Sequence, residues 1–390
     1  MPKSVHISFT ITHQDKNSQA RVGKLVTKHG TAETPYFMAV ATKGVGKCIG
    51  PDDYRDCTDG LIANALILSI RPGLEVIEEF GDIQAFMNYH KPMFTDCGAF
   101  QMLRESFLET TSKKGIHFKS PFDGKRFLLT PEKIMEIEQK LGADCVMMLD
   151  DVAPYNATRE QYEKSLDNAI RWGELSKKYH TKKDQFLYGI VQGGYEMDLR
   201  EKSAKWVCEM DFDGNAIGGV AIGETREEMF LAINASMPHL DPKKPKHLLG
   251  VGSPDDIVEA VGLGLDTFDS VYPTQAARHG TIFTFHGKID ILKAKHIRDK
   301  EPIEKGCDCF TCKNFSVGYI RHLLKLNEPV GKRYATIHSL RFMQRLMEKT
   351  RESIKNGTFE DFKNEIITVY RKNKHHATHT IGNSVTKGKR

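Results

Sequence analysis

Eight short apolar, β-prone runs separated by helix-forming stretches predict an α/β fold, a (β/α)8 TIM barrel, for this 390-residue chain. Alternation of apolar and polar residues in "VHISFTIT" and "ARVGKLVT" adds an N-terminal antiparallel hairpin or sheet, placed to plug the bottom of the barrel. A tight cysteine cluster beyond residue 300 adds a metal-binding subdomain. The expected organisation is a barrel with its β extension over 1–300, a zinc-binding subdomain packed on it over 301–370, and a basic, disordered tail over 371–390.

Composition narrows the setting. A hydrophobic fraction of 39% with 27% charged residues belongs to a water-soluble globular chain, and no run approaches the ~18 apolar residues that span a bilayer. The N-terminus "MPKSVHISFTITHQDK" has no apolar signal core, and single scattered cysteines fit a reducing compartment, so a cytoplasmic location is expected. The net charge of +5 is misleading as a sign of nucleic-acid binding. Residues 371–390 hold six Lys/Arg and no acid, which leaves −1 for the other 370 residues.

The runs are 37–42, 61–68, 93–97, 145–151, 185–192, 215–219, 247–252 and 267–272. Most lack alternation, as strands buried on both faces do. Helix starts lie between them. Thr130 with Pro131 and Glu132 reads as a cap, a first-turn proline and a dipole-matched acid, with Gly142 as the stop. Ser253, Pro254, Asp255 and Asp256 repeat the device, Thr158 with Gln161 forms a capping box, and Thr225 starts another helix.

A barrel of this kind carries its site at the C-terminal ends of its strands. Asn64, Asp96, Asp150, Asp151, Gln192, Gly218, Gly219, Gly250, Gly252 and Asp269 gather there by topology. The ordinary fate of an aspartate is a helix cap or surface ion pair, and Asp151 fits that description. Asp96, Asp150 and Asp269 end three different apolar strands, where an unpaired carboxylate is costly to desolvate. Such carboxylates suit glycosyl chemistry, one attacking an anomeric carbon and another handling the proton. Asp, Gln and glycine amides also match the polar edge of a guanine-like base, with Phe100 placed to stack on it.

Cys307, Cys309 and Cys312 are followed after 25 residues by His338, which opens the expected helix "HSLRFMQRLMEKTRESI". Three thiolates and an imidazole make a closed tetrahedral set, so one structural zinc per chain is expected and no organic cofactor.

The blocks "FTDCGAFQM", "GIHFKSPFDGKRFLLTPE", "LDDVAPY", "YGIVQGG", "FDGNAIGGVAIGE", "HLLGVGSPDDI" and "FDSVYPTQAARHG", with the cysteine–histidine spacing, resemble the queuine tRNA-ribosyltransferase (tRNA-guanine transglycosylase) family from about residue 5 to 370. The resemblance implies exchange of the wobble guanine (34) of tRNAs with G-U-N anticodons, through a covalent intermediate on Asp269, with Asp96 as general acid/base. Asp150, Gln192 and Gly219 would read the base edge, Phe100 and Leu249 would sandwich it, and Val220 and Val152 would complete the pocket. RNA contacts fall on Gly250, Val251, Gly252, Ser253, Pro254, Asp255 and Asp256, and on Thr274, Gln275, Ala276, Ala277 and Arg278. The implied partners are the tRNA anticodon loop, a 7-deazaguanine base and a second copy of the chain, with no membrane.

The chain departs from the family pattern "DSGGFQ" at Cys97 and Ala99, and Gln275 stands where an arginine is usual. Val152 after the aspartate pair resembles queuine-using, chlamydia-like or eukaryote-like members, which makes queuine the expected base and 7-aminomethyl-7-deazaguanine the alternative. Retention of Asp96 and Asp269 argues against a non-catalytic tRNA-binding subunit. A metal-dependent hydrolase barrel would need histidines beside the carboxylates, and most of the 16 lie elsewhere.

Overall fold

Each of the eight apolar runs overlaps a strand, and the strands pair in parallel in chain order until the last meets the first. In the computed structural model, which describes residues 6–98 and 108–372, they are β1 Tyr36–Val40, β2 Leu61–Asn64, β3 Met93–Asp96, β4 Cys145–Met147, β5 Phe186–Val191, β6 Gly214–Ile217, β7 Lys246–Leu248 and β8 Thr267–Asp269. Closure is made by β8 against β1, with Phe268 opposite Phe37. Phe94, Tyr188 and Phe268 are fully buried, as expected where helices cover the outside and side chains fill the inside.

The runs overshoot the strands. Asn64 ends β2 and its carboxamide oxygen accepts the Ile67 amide at 2.7 Å, turning the remaining apolar residues, Ala65–Leu68, into a helical turn instead of the expected strand. Beyond β7 and β8 the apolar residues Leu249 and Val271 leave the sheet and line a cavity. Hydrophobicity alone does not distinguish a residue paired in a sheet from one facing a pocket.

Helix starts fall where capping chemistry places them. Thr130 caps Pro131–Leu141, which ends on Gly142 in the left-handed conformation. Thr158 and Thr225 form capping boxes with Gln161 and Glu228. Ser253 differs: its hydroxyl donates to Asp255 Oδ1 and gives the helix Pro254–Gly262 no side-chain cap.

The N-terminal segment is a three-stranded antiparallel sheet, since Gly30–Thr34 adds to the expected hairpin of Ser8–Gln14 and Arg21–Thr27. It lies across the N-terminal ends of the barrel strands. Arg21 makes a two-point pair with Asp266, just before β8, at 2.9 and 2.6 Å. His29 lies between Asp144, just before β4, and Asp82, at 2.9 Å from each. Residues 108–129 form a second small sheet, not foreseen as such, between β3 and the 131–141 helix.

After β8 the chain forms a hairpin, 281–290, and then helices ending with Pro329–Asn356 and Phe359–Lys372. His338 therefore lies inside a long helix and does not open one, because Pro329 at the first turn starts the helix nine residues earlier. From this helix Arg351 reaches back to the carbonyl of Pro35 at 2.7 Å. The final helix includes Arg371 and Lys372, expected as tail; Arg371 pairs with Asp255 and Glu259. The rest of the tail, 373–390, lies outside the described residues. Among the described residues no helix is long and apolar enough to cross a membrane.

Candidate active site

A cavity of about 320 Å3 opens at the C-terminal end of the barrel and is lined by Asp96, Asp150, Val152, Gln192, Gly219, Val220, Leu249, Gly250, Asp269 and Gln275. Residues from six strand ends or the loops beyond them thus meet, as the topology requires. Phe100, expected over the base, lies outside the described residues, as does Ala99.

Asp96 ends β3 beside Asn64 of β2. Its Oδ1 is buried without a hydrogen-bond partner. Burial first, then the nearby charge of Asp269 and more weakly that of Asp150, pushes its carboxyl up to about 8, against a Gly98 amide bond that favours the anion. Close packing requires glycine at 98: φ is +85°, and a Cβ would stand 2.8 Å from Asn64 Oδ1.

Asp150 accepts Gln192 Nε2 at 2.6 Å on one oxygen and the Cys97 thiol at 3.5 Å on the other. Burial raises it to about 6 despite these two bonds. Asp151 is buried and accepts Asn168 Nδ2 at 2.8 Å, a bond within the interior instead of the expected helix cap or surface ion pair. Gly219, with φ +64°, lies so near Gln192 that a Cβ would stand 2.5 Å from its Oε1.

Two residues of this region were not singled out in the sequence. Arg200, fully buried, donates to the carbonyls of Gly194, Val191, Gly218 and Gly219 at 2.7 to 3.2 Å, which fixes the double-glycine wall of the cavity. Its signal was an arginine in the buried 200, 203, 204, 207 stripe of its helix. His247, also fully buried, places Nε2 3.1 Å from Asp269 Oδ1, and Gly250 N donates to the same oxygen at 3.1 Å. Its signal was strand parity, since it lies two residues before Leu249 on the inward face.

The stretches expected to meet RNA are only partly at the surface. Gly250 and Gln275 are exposed at the cavity rim beside Val271 and Tyr272, and Ser253, Thr274, Ala276 and Arg278 are half-buried. Val251, Gly252, Pro254, Asp255 and Ala277 are buried, and Asp256 pairs with Arg226 at 2.7 Å. Val251, Gly252 and Asp256 line a second cavity with Gly250 and Tyr272, and Pro254, Asp255 and Ala277 build the helices under the rim.

Among the described residues Cys307, Cys309, Cys312 and His338 form the one group of metal-ligand type, with donor atoms within 4.8 Å of one another. Sulfur-to-Nδ1 separations are 3.7, 3.8 and 3.2 Å. A tetrahedron with Zn–S ~2.3 Å and Zn–N ~2.0 Å has S···N edges of about 3.5 Å, so the four donors fit such an ion. His338 Nε2 donates to the Phe283 carbonyl at 3.0 Å, leaving Nδ1 free to ligate. Among the described residues no third ligand of metal-binding type joins His247 and Asp269.

Comparison with known proteins agrees with the geometry. The family model described as queuine tRNA-ribosyltransferase matches residues 15–372. A queuine tRNA-ribosyltransferase of Desulforamulus reducens is 42% identical over 93% of this chain and 99% of its own length. Those of Halothermothrix orenii (41%, 93% and 98%) and Idiomarina loihiensis (42%, 90% and 95%) are similar to the same extent. With three aspartates gathered in the mouth of its barrel and similarity over nearly its whole length, the chain belongs to the queuine tRNA-ribosyltransferase family, the tRNA-guanine transglycosylases, which are pentosyltransferases.

Proposed function

We propose that this transglycosylase exchanges guanine at the wobble position (34) of tRNAs with G-U-N anticodons for queuine, by double displacement on Asp269. The observation that carries this reading is the pairing, in one cavity, of Asp269 with a buried Asp96 held near pKa 8. Asp269 attacks C1′ as the guanine bond breaks, and Asp96, neutral below that pH, gives the departing base its proton. The resulting Asp96 carboxylate then takes the proton of the incoming base, whose nitrogen attacks C1′ and releases Asp269. Asp150, Gln192 and the Gly219 amide read the base edge, with Leu249 against one face of the base. Reaction at C1′ requires a single-stranded loop with the base turned out, and the exposed rim of Gly250, Tyr272 and Gln275 is its docking edge.

The Cys307, Cys309, Cys312 and His338 set holds a structural zinc and ties 301–370 to the 1–300 barrel as one module. Exposed Phe310 and Tyr319 beside Phe315 and Tyr334 form an aromatic patch on that module, which supports a homodimer. Cys309→Ala is expected to give monomeric or aggregated protein by light scattering; a soluble, fully active dimer would contradict the zinc assignment.

A gel-stable covalent adduct with tRNA should form and be lost in Asp269→Asn, and an active Asp269→Asn protein would overturn the mechanism. Val152 supports queuine over 7-aminomethyl-7-deazaguanine. Competition of the two bases against exchange of radiolabelled guanine tests this, and preference for the aminomethyl base would reverse the assignment.

A further inference from the structure

The two hydrogen bonds on Asp269 share one oxygen. His247 Nε2 and Gly250 N, each at 3.1 Å, both donate to Oδ1, and among the described residues Oδ2 has no hydrogen-bond partner. A carboxylate only accepts, so the imidazole proton sits on Nε2. The ring is held from its other side by Thr267 Oγ1, 2.9 Å from Nδ1, and lies against Phe94 with centroids 5.6 Å apart. His247 and Thr267 are opposite one another in the β7–β8 register, so paired strands set the imidazole's position under Asp269. His247 is not part of the cavity lining, and it can act on the reaction only through Asp269.

From this geometry we infer that His247 is a positioning residue that divides the labour of the two Asp269 oxygens and sets how readily the carboxylate leaves C1′. The inference rests on Asp269 being the nucleophile. In the first step the free oxygen, Oδ2, forms the bond to C1′ as the bond to guanine breaks and its electron pair departs with the base. Oδ1 then becomes the carbonyl oxygen of the glycosyl ester. In the second step the incoming base nitrogen, its proton taken up by Asp96, bonds to C1′ and the C1′–Oδ2 pair returns to the carboxylate. Negative charge is then shared with Oδ1, where two N–H donors already wait. Removing one donor leaves the charge that returns to Asp269 less stabilised, which makes it a poorer leaving group without weakening it as a nucleophile. The second step should therefore suffer more than the first.

The test is single-turnover adduct kinetics with full-length enzyme and tRNA, the adduct being chased with guanine. In His247→Phe, which keeps the ring volume and loses the N–H, the adduct should persist on the order of tenfold longer, the worth of one hydrogen bond to a charged group, and should accumulate at steady state. His247→Gln, which keeps a donor at similar reach, should restore most of the breakdown rate. Thr267→Val, which only unfastens the ring, should lengthen the lifetime by a smaller factor, and it provides the test if His247→Phe does not fold. Equal slowing of formation and breakdown, or a wild-type adduct lifetime in the folded variants, would overturn the inference. Asp269→Asn run in parallel separates the two claims: an adduct in that protein refutes the nucleophile, whereas its absence together with an unchanged lifetime in the His247 variants refutes only the role of His247.

Discussion

At the N-terminal end of the barrel, Asp266 is clamped by Arg21, and Asp144 is held by His29, Gln84 Nε2 at 2.6 Å and the Met93 amide at 3.0 Å. At the C-terminal end, Asp96, Asp150 and Asp269 are gathered in one cavity, and among the described residues no lysine or arginine pairs with any of them. The same residue type is thus treated in opposite ways at the two ends of the same short strands. Below, each buried charge has a partner and the bonds serve stability. Above, desolvation, joined at Asp96 by repulsion from Asp269, outweighs the hydrogen bonds these carboxyls receive, which holds Asp96 up to about 8 and Asp150 up to about 6, where proton transfer near neutral pH is efficient.

The largest effect that would break this contrast concerns Asp96. Asp96→Asn should lower turnover by ~10²–10⁴-fold while leaving the melting temperature unchanged or higher, since it removes a repulsive buried acid. A variant that melts lower and retains activity would place Asp96 among the structural aspartates. Arg21→Met should do the reverse, costing about 3–5 kcal/mol of stability by stranding buried Asp266, with little change in turnover per folded molecule. Denaturant titration beside active-site counting checks both.

The two ends also differ in pH dependence. Burial alone would lower the His29 pKa, but its bonds to Asp144 and Asp82 outweigh this and raise it to about 9. The folded value lies above the unfolded ~6.5, so the stabilisation is complete below that pH and is lost as pH rises to about 9, on the order of 3 kcal/mol in all. Asp96, a carboxyl raised to about 8, makes the folded state bind the extra proton, so stability falls as pH climbs from ~4 to 8. His29→Gln should flatten the upper part of the stability curve and Asp96→Asn the lower part; an identical curve in either variant would remove that residue from the account. The smallest effect is expected for Lys28→Ala, whose partly exposed pair with Asp82 is worth less than ~1 kcal/mol. A larger loss would mean that Lys28, and not His29, neutralises that corner.

Much of the upper end was legible in the sequence because its residues terminate apolar runs, and the barrel topology then brings them together. Asp96, Asp150, Gln192 and Asp269 reach one cavity for that reason. The metal group was legible from spacing and ligand type. His247 and Arg200 were hidden because each sits within an apolar pattern and acts on groups distant in sequence, an aspartate 22 residues away and two glycine carbonyls 18 and 19 residues away. The lower cluster was hidden for the same reason, as Arg21 and Asp266 are separated by 245 residues. Helix caps, by contrast, act over three residues, and those of Thr130, Thr158 and Thr225 could be read locally.

The reach of Arg351 to the Pro35 carbonyl, immediately before β1, bears on the order in which the molecule assembles. A chain made from its N-terminus exposes β1 early, yet β1 gains its second strand neighbour only when β8 emerges, and this grip on its leading edge arrives about 80 residues later still. The barrel seam must therefore wait for the far end of synthesis. Such long-range closure makes folding slow and leaves an open sheet edge in nascent chains, so chains interrupted before the 329–356 helix should be the ones that depend most on chaperones.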